Sequence, residues 1–217
     1  IAPGNSDSAS LDNAFELMVR GGRSAPMTKC LLIPEAWSNK TTMSQELRDF
    51  YSYCNCVIEP WDGPAAITAT DGRWVLGGVD RNGLRPMRYT ITIDGLLIMG
   101  SEAGMVPIRE TEIVEKGRLG PGQMIAVDLA EGKLYHDAEL KQLLAISRPF
   151  GEWVQNIKPI DDAIRPEEAA AAEYTGEELR QRQVAAGYTL EELELLSLSS
   201  GCSPWSSSPA SNQLCLK

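Results

Sequence analysis

The chain has 217 residues, with 30 acidic against 20 basic side chains and a formal net charge of −10, a balance that sets it against nucleic acid and anionic membranes as partners. Its 43% hydrophobic and 23% charged residues are those of an ordinary globular protein, and no run approaches the roughly 20 apolar residues that span a bilayer. Five cysteines (Cys30, Cys54, Cys56, Cys202 and Cys215) lack framework spacing, which points to reduced thiols in a cytoplasmic protein, and with His136 the only histidine no metal site is expected.

Residues 8–22 read as a first helix, because Leu11, Ala14, Phe15, Met18 and Val19 recur at helical spacing. Ser8 or Ser10 is placed to cap it, and Gly21-Gly22 to end it. Asp7 at its head is most simply an N-cap carboxylate favoured by the helix dipole; the other reading is a ligand for a substrate ammonium at a pocket rim. The run "CLLIP" at 30–34 is ambiguous between a strand and a helix end. Residues 43–58 predict a second helix that buries Leu47, Phe50, Tyr51, Cys54, Val57 and Ile58.

After "EPWDGP" the period changes. "AAITAT", "RWVLGGV", "MRYTITI" and "LLIMG" are short β-rich runs separated by Asp71-Gly72, Asn82-Gly83 and Asp94-Gly95, pairs that supply the positive φ angles of tight turns. They predict an antiparallel meander, with a further hairpin of 123–129 and 133–137 around Glu131-Gly132. Two helices leading into hairpin-linked strands make the class α+β, not alternating βαβ units. Residues 156–174 read as a linker and 175–197 as a helical pair parted by Gly187, with capping boxes at Thr175/Glu178 and Thr189/Glu192. Residues 198–217 form an atypical Ser/Pro-rich tail, and with Ile1 at the other end the chain is expected to be a piece of a longer protein, its tail disordered or frame-shifted.

Three groups of residues invite chemistry. In "DRNGLRPMRY" at 80–89, Arg81, Arg85 and Arg88 surround an Asn-Gly turn; a structural turn with ion pairs to Asp80 or Glu102 is favoured over anion binding, and nucleic-acid contact lacks aromatic or basic companions. Glu59 and Asp62 in "EPWDGP" have the types of an acid–base pair, but Pro60, Gly63 and Pro64 mark a rigid turn. The glycines of "GRLGPGQM" precede a strand and not a helix, so they mark a turn and not a phosphate loop.

Five longer stretches, "SDSASLDNAFELMVRGGRS", "EPWDGPAAI", "DGRWVLGGVDRNGLRPMRY", "SEAGM" and "KGRLGPGQMIAVDL", resemble the class II glutamine amidotransferase domain of glutamate synthase large subunits. The resemblance takes 1–155 as the later part of that domain and "YTGEELRQRQVAAGYTLEELELL" as the entry to a central domain, and leaves 198–217 unmatched. It implies an N-terminal-nucleophile fold, an αββα sandwich. It implies hydrolysis of the glutamine amide, with the ammonia delivered for reductive amination of 2-oxoglutarate to glutamate. The family's nucleophile is an N-terminal cysteine; residue 1 is Ile, so the chain by itself is expected to be inactive. Asp7 matches the family's acid for the α-ammonium of glutamine, and Gly4 and Asn5 fall beside it. The implied partners are L-glutamine, the central and FMN domains of the large subunit and a small reductase subunit. FMN, an iron–sulfur cluster and NAD(P)H or ferredoxin belong to other regions of the parent, with no cofactor expected in this segment. The alternative from another class is a free-standing, non-catalytic amidotransferase-like binding module.

Overall fold

The computed structural model describes residues 4–158, 162, 174–188 and 193. They fall into two compact units, one ending at Ile157 and one beginning at Lys158. In the first, helix α1 spans Asp7–Arg20. Its cap is Ser6, whose hydroxyl accepts the Ala9 N–H at 3.3 Å, and neither Ser8 nor Ser10; Asp7 is the first helical residue and not the cap. Gly22, at φ +91°, turns the chain out of the helix, a geometry open to a residue without Cβ.

The ambiguous "CLLIP" run is a helix end. Helix α2 spans Ala25–Leu32 and every one of its residues is buried, so it lacks the polar stripe that identifies a surface helix. Helix α3, Gln45–Val57, buries Phe50, Tyr51 and Cys54, with Leu47, Val57 and Ile58 partly covered.

The strands depart from a single meander. They are β1 Ala66–Thr70, β2 Trp74–Val79, β3 Arg88–Thr92, β4 Leu97–Gly100, β5 Ile113–Arg118, β6 Met124–Asp128 and β7 Lys133–Tyr135. β5 was not anticipated. One antiparallel sheet has the order β1-β2-β6-β7 and the other β4-β3-β5. Residues 80–87 are therefore a crossover from β2 in the first sheet to β3 in the second, and Asn82-Gly83 turns a corner instead of closing a hairpin. The sheets meet at Gly77, where a Cβ would come within 2.7 Å of the sulfurs of both Met99 and Met87.

Two more helices, α4 Asp137–Ile146 and α5 Phe150–Val154, also go beyond the sequence expectation. α2 packs on β2 and α4 on β6, and the main core gathers Leu31, Phe50, Leu76, Met124, Leu140 and Phe150. Phe50 and Phe150 meet edge-on at 5.2 Å. The layering is thus helices, first sheet, second sheet, an α+β arrangement with paired antiparallel sheets.

In the second unit, helix α6 spans Gly176–Ala185. Thr175 sits at its N-cap position without a side-chain capping bond, and Glu178 pairs with Arg182 at 3.1 Å instead of closing a capping box. Gly187 follows the helix end at φ +83°. Most of the expected 156–174 linker, most of the second helical stretch and the whole 198–217 tail lie outside the described residues.

Candidate functional site

The head of α1 faces the loop that follows α3. Asp7, Ser10 and Leu11 on one side and Glu59, Trp61 and Asp62 on the other line an open cleft of about 370 Å³. The cleft is seated from below. The Trp61 main-chain N–H donates to the Leu32 carbonyl at 2.7 Å, and Leu11, Ala14 and Trp61 pack on Leu32, Ile33 and Ala65. Asp7 and Glu59 have no ion-pair partner among the described residues, whereas Asp62 accepts from Arg81 at 3.0 Å. Glu59 and Asp62 therefore do not form the acid–base pair their types allowed. Gly4, at φ +80°, and Asn5 are exposed ahead of the Ser6 cap and are not among the residues that line this cleft.

Asp80 holds the loops together. Its side chain is buried, and its two oxygens accept four backbone N–H groups: Ala65 at 3.1 Å, Asn82 at 3.1 Å, Leu84 at 3.1 Å and Arg85 at 3.2 Å. Burial pushes this carboxyl up, but the amides outweigh it and hold the group below its ordinary value. The Asp80 main chain adds an N–H bond to the Ala65 carbonyl at 2.9 Å and accepts from Gly122 N–H at 2.8 Å. The expected ion pair from the arginines to Asp80 or Glu102 is absent; Arg81 turns to Asp62, and Arg85 and Arg88 have no ion-pair partner among the described residues.

Below Gly122 lies a charged cluster that sequence reasoning missed. Lys29 and Lys141, both buried, donate to the same Gly122 carbonyl at 3.0 and 3.2 Å. Lys141 also pairs with Glu35 at 2.8 Å and Asp137 at 2.9 Å, and Tyr51 donates to Glu35 at 3.2 Å. Lys29 has no carboxylate of its own, and burial pulls its pKa down to about 8. Burial pulls Lys141 down as well, yet Asp137 and Glu35 prevail and raise it. The sign of this cluster in the sequence is faint: Lys29 and Lys141 fall at positions where helical packing demands apolar residues.

The remaining candidates are separate. His136 stands 3.5 Å from Glu115, which also accepts from the Tyr89 hydroxyl at 2.6 Å, a bond that lifts Tyr89 to about 12. Cys30 and Cys54 are buried with their thiols pushed up by burial, and Cys56 is exposed. Among the described residues no three His, Cys, Asp or Glu side chains are grouped to hold a metal, and no helix is long and apolar enough to cross a membrane.

The chain is 56% identical over 198 residues to the glutamate synthase [NADPH] large chain of Azospirillum brasilense, covering 90% of this chain and 13% of that one. It is 45% identical over 201 residues to ferredoxin-dependent glutamate synthase 2 of Synechocystis, covering 88% and 12%. With the glutamate synthase [NADPH] large chain of Bacillus subtilis it shares 41% over 189 residues, covering 87% and 12%. The chain thus spans about an eighth of the length of these relatives. The family model described as glutamine amidotransferases class-II matches residues 1–153, the whole sheet-bearing unit but its last turn, and the chain belongs to that family.

Proposed function

We propose that this chain is part of a glutamate synthase large chain, and that its cleft holds glutamine while the side-chain amide is hydrolysed. In this reading the ammonia aminates 2-oxoglutarate reductively to a second glutamate. The observation that carries it is Asp7: an acidic side chain at the rim of a cleft, without a cation of its own among the described residues. An ammonium placed there gains a charge-assisted hydrogen bond that no protein group offers. Gly4 and Asn5 stand next to Asp7 in the chain and belong to the same proposal as neighbours of the ligand.

Hydrolysis needs a nucleophile, and the cysteines described do not supply one. Cys30 and Cys54 are buried, neutral thiols within helices, and Cys56, exposed near the end of α3, is not among the residues that line the cleft. Purified residues 1–217 are therefore expected to release no ammonia from glutamine, and measurable turnover would sink that expectation. In this reading FMN and an iron–sulfur cluster belong to the parent enzyme. Those groups, a small reductase subunit and the electron donor are assigned to the rest of a cytoplasmic enzyme; the relatives' own names include both NADPH and ferredoxin.

The direct test is Asp7→Asn in the longer enzyme that carries this segment. Loss of one charge-assisted bond predicts a rise of roughly 10- to 100-fold in KM for glutamine with kcat little changed. Unaltered steady-state kinetics would remove Asp7 from the site.

A further inference from the structure

Lys29 is a buried ammonium whose one hydrogen bond among the described residues goes to the Gly122 carbonyl. Lys141 is divided among three acceptors, and Gly122 at 3.2 Å is the longest of them, after Glu35 at 2.8 Å and Asp137 at 2.9 Å. Lys29 is thus the lysine dedicated to Gly122. The fold also gives up packing to admit it. Gly78 stands inside β2, paired with Ile67 on one side and Met124 on the other, and a Cβ there would come within 2.8 Å of Lys29 Cε. A glycine inside a strand and a core charge without a carboxylate both cost stability, so holding the fold together explains neither. Buried charges kept at such a cost gather where function needs a group placed.

What Gly122 holds is one wall of the cleft. Its N–H donates to the Asp80 carbonyl at 2.8 Å. Asp80 exchanges bonds with Ala65, through its N–H at 2.9 Å and its carboxylate at 3.1 Å, and the next residue, Arg81, holds Asp62 at 3.0 Å. Residues 59–62, which face Asp7 across the cleft, are therefore tied to Gly122 by way of both Ala65 and Arg81. The seat beneath Trp61 leads to the same place. Leu32, which accepts the Trp61 main-chain N–H, lies on the segment that runs to Glu35, and Glu35 presses its Cα and Cβ against Gly122 while Lys141 holds its carboxylate. On the reading that this cleft holds glutamine, we propose that Lys29 is its positioning residue: the ammonium fixes the Gly122 turn, and the turn fixes the wall opposite Asp7.

Lys29→Met keeps the reach of the side chain and removes the ammonium. The full chain carrying it should keep or raise its thermal transition, yet exchange of the Gly122, Ala65 and Trp61 amides should accelerate about tenfold, as expected for one lost charge-assisted bond. In the longer enzyme that carries this segment, KM for glutamine should rise about three- to tenfold with kcat little changed. Wild-type protection of those amides in Lys29→Met overturns the assignment with no glutamine present. A lowered thermal transition also overturns it, because Lys29 would then be holding the fold. Unchanged KM in Lys29→Met, where Asp7→Asn raises it, overturns the link to the cleft. Unchanged KM in both variants removes the glutamine reading and this assignment with it.

Discussion

Replacing Asp80 with asparagine separates a hub from an ordinary turn residue. Oδ1 takes the Ala65 and Arg85 amides, and Oδ2 takes those of Asn82 and Leu84. Asparagine keeps one oxygen and presents an NH₂ group to the other pair, so two donors face donors. Each hydrogen bond to a charged acceptor contributes about 1.5–3 kcal/mol, which puts the loss near 3–6 kcal/mol against a total stability of about 5–15 kcal/mol. The pH dependence follows from the direction of the shift. The folded carboxyl is held below 3.8, so on acidification the unfolded chain takes up the proton first. The contribution is complete above about pH 4 and is lost as the pH falls through the folded value. Urea unfolding followed by tryptophan fluorescence should show the midpoint lowered and the acid limb flattened in Asp80→Asn. Amide exchange at Ala65, Asn82, Leu84 and Arg85 should accelerate together. A variant within about 1 kcal/mol of wild type, with those four amides still protected, would refute the hub.

The buried lysines should respond in opposite ways. Lys29→Met removes a charge with no carboxylate beside it while Lys141 still serves Gly122, so the unfolding free energy from urea titration near pH 7 should hold or rise by about 1–3 kcal/mol. In the wild type, stability should climb as the pH passes from about 8 toward 10.5, because only the unfolded Lys29 still binds its proton there; Lys29→Met should lack that climb. Lys141→Met leaves the part-buried Asp137 without its cation and Glu35 with Lys40 alone, and should cost about 3–5 kcal/mol by the same assay; equal effects from the two lysines would contradict the charge assignment. Gly122→Ala sets a Cβ against the Cβ of Glu35 at φ +70°, where neither backbone can give way, and should lose about 3 kcal/mol or more, read as a lowered thermal transition.

Periodicity found what has one apolar side. α1, α3 and the strands β1 to β4 carry their patterns openly, and the Asp-Gly pairs at 71–72 and 94–95 do link neighbouring strands. It failed where polarity and position disagree. α2 is buried all round, and α4 places Lys141 in the core because Asp137 one turn back and Glu35 receive it, the latter from more than 100 residues away where no local window reaches. β5 was obscured by its charges, since Lys116 and Arg118 stand on the far face of the sheet. The two-sheet division was hidden because Asn82-Gly83 reads as a hairpin turn, while the feature that bends it elsewhere is Asp80 gripping backbone amides, donors that every residue but proline possesses. Residue type favoured a cap for Asp7, a role that Ser6 fills, with an ammonium ligand as the second reading, and only the resemblance reversed that order.

The strand order has a consequence for how the chain is made. β2 and β6 are neighbours in the first sheet, yet all of the second sheet lies between them in sequence. On a ribosome the first sheet must wait as a β1–β2 ribbon until the second has been synthesised and folded back, because loop closure comes before the pairing that rewards it. The two sheets are interlocked like a clasp. A cut in the exposed 101–109 loop would therefore release no independent domain: one fragment would carry β1 to β4 and the other β5 to β7, each with part of both sheets, and they should regain structure only when mixed.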